Sequence, residues 1–196
     1  MAQLIYPGIA KPYMEVELVA GGTVCVLPLF KREIAEIKRG VSDVRRAYEL
    51  CAAIMSRNTD GQIFRASEIK SVWAPEDIGQ FFDGCKNFAA AIEALPELAL
   101  PTYPGGNDGP YDIISYWEKT VADYCNISIF DVEDMDLYDY YMIRRDAFIS
   151  LASRTAAGRE YLENAKRLTL TEPDRASLRE TFGKRYFNSR AHVERD

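Results

Sequence analysis

The sequence predicts an α+β protein in which an N-terminal β-hairpin packs on helices, a Pro/Gly-rich linker follows, and an all-α helical bundle completes the chain. Three observations carry that prediction. Two β-rich runs flank Gly21-Gly22, several longer stretches repeat apolar residues at three/four spacing, and residues 96–111 hold four prolines and three glycines with almost no periodicity. The chain has 196 residues, enough for one good-sized domain or two small ones. At 47% hydrophobic and 28% charged, it is too apolar to stay disordered and too charged for a bilayer.

In chain order, the run Met14 to Ala20 alternates apolar with acidic residues over its first five positions, and Thr23 to Leu27 is β-rich. With Gly21-Gly22 between them these runs read as a hairpin closed by a primed turn. Two strands are marginal in water and need a cover. Lys31 to Arg39, ended by Gly40, reads as a short charged helix. Ser42 then opens a helix over 43–57, whose Val44, Ala47, Tyr48, Cys51, Ile54 and Met55 form one buried face. Ser67 caps a short helix to Trp73, and Pro75-Glu76-Asp77 opens a longer one to about Leu95. Pro96 stops it.

Beyond the linker every periodic stretch is helical. Residues 112–124 place Ile113, Ile114, Trp117, Val121 and Tyr124 on one side, Ser128 caps a short turn, and helices follow over 136–154, 156–168 and 174 to about 182. Thr155 and Thr171 are the caps expected for the last two. The predicted organisation is thus a lobe over 1–95, a linker over 96–111 and a helical lobe with a basic tail over 112–196.

Charge narrows the function classes. With 24 basic and 30 acidic side chains the net charge is −6, which disfavours nucleic acid as the main ligand. The N-terminus lacks a secretory pattern and no run reaches the ~18 apolar residues of a membrane span, so a cytoplasmic protein is expected. Acids accumulate from Asp123 to Asp139 with no base between Lys119 and Arg144, whereas Arg175, Arg179, Lys184, Arg185, Arg190 and Arg195 make the tail basic. Such regions attract partners or one another.

The residues needed for enzyme chemistry are scarce. His192, the single histidine, lies in the charged tail, so no catalytic triad can be built on it. The cysteines, Cys25, Cys51, Cys85 and Cys125, never approach C-x-x-C spacing and read as small buried hydrophobes, leaving neither a disulfide framework nor a metal site. No glycine-rich phosphate loop occurs, and no cofactor is expected.

Residues 56–67 copy the middle of a calcium loop, but Ser56 and Ser67 replace its terminal carboxylates, so a simple turn is the better reading. The acidic run Asp131 to Asp136 lacks the apolar wall that would separate a catalytic pair and is expected to be solvated or cation-facing. Tyr140, Tyr141, Arg144 and Arg145 are the candidate partner-binding residues, because tyrosine and arginine anchor protein interfaces. Tyr141, Arg145 and Phe148 at helical spacing equally describe a core edge with a snorkelling arginine, and both readings stand.

The order of features is similar to that of a known family. The run Val16-Glu17-Leu18-Val19-Ala20-Gly21-Gly22-Thr23-Val24, then Pro28-Leu29-Phe30-Lys31-Arg32-Glu33-Ile34, an Ala-rich helix, Asp60-Gly61 and Pro75-Glu76-Asp77-Ile78 resembles the tail assembly chaperones of long-tailed bacteriophages. The part after the linker is similar in size and placement to the helical extension those proteins acquire by ribosomal frameshifting. Here both parts share one reading frame, as in a frameshift product or a fused architecture.

The resemblance covers residues 14 to 170 in layout and brings no catalytic or ligand motif with it. It implies a non-enzymatic role in which the chain binds tail tube protein and keeps a long tape-measure protein soluble, without nucleic acid or membrane, and with self-association open. A structural virion component, such as a connector or tail-completion protein, and a small helical interaction adaptor remain as alternatives.

Overall fold

A computed structural model describes residues 4–5, 12–26, 28–57, 61–102 and 114–170. The architecture is α+β. Strands β1 (Leu4–Ile5), β2 (Tyr13–Glu17) and β3 (Thr23–Val26) form an antiparallel sheet in the order β1-β2-β3, and seven helices follow among the described residues. These are α1 (Lys31–Arg39), α2 (Val44–Met55), α3 (Ala66–Val72), α4 (Pro75–Glu93), α5 (Tyr116–Cys125), α6 (Leu137–Ser153) and α7 (Ala156–Thr169).

The hairpin pairs Val16 with Val24 and Glu17 with Thr23, and places Met14, Val16 and Val26 on the buried face. Its turn differs from the expected two-residue Gly-Gly turn. The Gly21 N–H bonds the Leu18 carbonyl at 3.1 Å and the Leu18 N–H bonds the Gly22 carbonyl at 3.1 Å, so Val19 and Ala20 belong to the turn. Gly21 and Gly22 both stand at positive φ, 83° and 100°, which a side chain would resist. The physical reason lies outside the hairpin, in the buried Asp77 of α4, whose Oδ1 accepts the Ala20 N–H at 2.9 Å.

Helix starts repeat one device. At α1, α3 and α4 the carboxylate of the third helical residue reaches back to the N–H before the helix. Glu33 accepts from Phe30 at 3.0 Å, Glu68 from Arg65 at 2.9 Å and Asp77 from Ala74 at 2.8 Å. α3 therefore starts after Arg65 and not at Ser67, and α2 is capped by Asp43, which accepts from Arg45 N–H, and not by Ser42. Thr155 caps α7 as expected, accepting from the Gly158 N–H at 3.0 Å.

The main core gathers the inner sheet face, α1, α2, α3 and the stripe Ile78, Phe81, Cys85, Phe88, Ala89 and Ile92 of α4. Gly84 lies in that stripe where α4 meets β2. A Cβ there would run into the Val16 side chain, so the close approach requires glycine. Cys51 and Cys85 are buried as expected, and burial pushes the Cys51 thiol up to about 12. Cys25 is a correction, since it points to the exposed face of β3. Val44 is exposed as well, at the first position of α2.

The chain does not divide at the Pro/Gly stretch. The described parts of Met1–Leu100 and Gly109–Ser150 form one compact unit, and those of Pro101–Asp108 and Leu151–Asp196 form another. The expected helical lobe over 112–196 is therefore not one body, because its first helices complete the N-terminal core. Leu29 to Lys31 pairs with Met135 to Leu137 in a short antiparallel bridge, with Lys31 N–H on the Met135 carbonyl at 3.0 Å and Leu137 N–H on the Leu29 carbonyl at 2.8 Å. Leu137 joins the main core, and Val121, Ala122, Val132 and Tyr140 make a smaller cluster. Tyr141 packs against both.

In the second unit, the end of α6 and the start of α7 are held by Arg159 on the Ser153 carbonyl at 2.8 Å, and the Tyr161 hydroxyl donates to the Pro101 carbonyl. The expected helix over 174–182, its cap Thr171, the basic tail and most of the Pro/Gly stretch lie outside the described residues.

Candidate functional site

The four candidate residues lie in the first half of α6. Leu137, Tyr140 and Ala147 are its buried positions, and Arg144 occupies the place between Tyr140 and Ala147 in that row. Tyr140 is 4% exposed and belongs to the smaller core cluster, so it is no surface anchor. Its hydroxyl sits 3.5 Å from the Glu118 carboxylate, and burial pushes its phenol well above the ordinary range. The Tyr141 phenol is raised too, by burial first and by the Glu93 carboxylate next.

Arg144, and not the Arg145 of the core-edge alternative, is the arginine that lies against the aromatic side chains. Its guanidinium lies over the Tyr141 ring at 4.5 Å and the Trp117 ring at 5.4 Å from the centroids, and its buried Nε has no hydrogen-bond partner. Arg145 is half-exposed and pairs with its neighbour Asp146 at 3.1 Å. Three of the four residues thus tie α6 to α5 and the core, and the outward part of α6 begins with Met142 and Arg145.

The acidic run is cation-facing. Asp131 to Asp134 form a 3₁₀ turn that meets α1. Lys31 Nζ stands 2.6 Å from Glu133 and 3.1 Å from Glu118, with the Tyr140 ring centroid at 5.2 Å, and Arg32 pairs with Asp134. Burial alone would depress the Lys31 ammonium, but the two carboxylates outweigh it and its pKa is raised. Burial likewise works against ionised Glu118, yet the backbone and Lys31 hold its carboxyl below the usual range. Asp136 accepts from the Tyr138 N–H at 3.0 Å and so starts α6.

The other buried charges are ties as well. Arg57 at the end of α2 pairs with buried Glu33, donates to the Pro28 carbonyl at 3.1 Å and covers the Phe30 ring. In the calcium-like stretch Asn58, Thr59 and Asp60 lie outside the described residues, and Ser56 Oγ accepts the Phe64 N–H at 2.8 Å while donating to the Ala52 carbonyl at 2.7 Å. An open groove of about 410 Å³ lies between α2 and α3, floored by Val44, Tyr48 and Ala66 and edged by Arg45, Glu49 and Lys70.

No family model, curated protein or solved structure matches the chain. Its surface therefore carries the functional reading. Periodicity placed Ile114 and Tyr124 on the inner side of α5, but Ile114 precedes the helix and is 99% exposed, and Tyr124 is 51% exposed. Val121 is buried as expected and shares the inner side with Ala122, whereas Ile113 lies outside the described residues. Ile127 at 38% and Phe130 at 82% continue the exposed apolar residues past the end of α5. The signal was an apolar Ile-Ser-Ile-Phe run directly after Asn126, a residue suited to the left-handed helix end, where no helical face remains to bury it.

Proposed function

We propose that this chain is a non-enzymatic tail assembly chaperone that holds tape-measure and tail tube proteins during phage tail morphogenesis in the host cytoplasm. One observation carries the reading: Ile114, Tyr124, Ile127 and Phe130 present large apolar side chains to solvent within residues 114–130, in a unit that also exposes Val19, Val44, Ile63 and Val72. Exposed apolar side chains grouped in this way mark sites where another protein docks. The layout of the N-terminal lobe and the helical continuation also support it. The buried and half-buried charges described above brace the fold, which suits a protein that works by binding.

The experiment is co-expression of the tagged chain with the proteins encoded by its neighbouring genes. Recovery of a long helical protein or a small tube-forming protein with the chain is the expected result. Finding the chain built into assembled particles, with neither protein bound to it beforehand, contradicts the chaperone and favours a structural virion component.

A further inference from the structure

We draw no further inference here: the strongest candidate, the open groove between α2 and α3 over Val44, Tyr48 and Ala66, is edged by charges that pair in part with one another, as Arg45 does with Glu49, and nothing in the structure shows what covers it.

Discussion

Asp77 connects the start of α4 to the hairpin turn with one carboxylate. Fully buried at the start of α4, it accepts the Ala74 N–H that begins the helix and the Ala20 N–H in the hairpin turn. The Ala20 hydrogen bond is the largest influence on its carboxyl and, with the Ala74 bond, holds it below the usual carboxylate range against the opposing effect of burial. A depressed folded pKa means that the ionised form contributes stability above the unfolded pKa, and that this is lost as pH falls through the folded value.

Asp77→Asn should therefore lower the urea midpoint at neutral pH and flatten its decline below about pH 4. Parallel pH profiles for the two proteins would contradict this role. Pro75-Glu76-Asp77 was legible as a helix start, because those residue types act within one turn. The bond to Ala20, 57 residues earlier, was not, since a single long-range acceptor leaves no periodic trace.

At the scale of elements, Lys31 joins α1 to α5 and to the 3₁₀ turn by reaching Glu118 and Glu133. Its side chain is largely buried, so removing the ammonium leaves two carboxylates facing each other without compensation. Lys31→Met should cost about 1–2 kcal/mol in urea unfolding at pH 7. Adding Glu118→Gln and Glu133→Gln should recover part of that loss in a multiple-mutant cycle. Additive losses would show that the three groups do not act together.

The sequence placed α1, α4 and α7 within a few residues, because Gly40, Pro75 and Thr155 act locally at their ends. Where α5 and α6 pack was hidden for two reasons. Arg144 interrupts the buried row of α6, and Tyr141 serves both clusters, so no clean stripe points to one neighbour. The candidate site was half legible. Of the tyrosines and arginines singled out on α6, Tyr140 is buried and Arg144 lies against aromatic rings, whereas Tyr124, Ile127 and Phe130 are exposed a helix earlier, at a turn where periodicity says nothing about burial.

For the whole molecule, the chain completes its N-terminal core with residues that lie beyond the Pro/Gly stretch. Leu137 belongs to the main cluster, and Met135 and Leu137 exchange backbone hydrogen bonds with the segment before α1. A fragment ending at Leu100 should lose cooperative unfolding and exchange the amides of α1 rapidly, whereas one ending at Ser150 should keep a single transition. A sharp transition in the shorter fragment would refute this dependence.

The same packing holds the stretch from Tyr116 to Asp134 on a base of buried Val121, Ala122 and Val132 while Tyr124, Ile127 and Phe130 are exposed. The most direct measurement is the soluble fraction of each protein encoded by a neighbouring gene, expressed alone, with the wild-type chain, and with the Phe130→Ser variant. Solubility that depends on the wild-type chain and falls with the variant is the predicted result. Equal solubility of every neighbour in all three cases would contradict the chaperone reading.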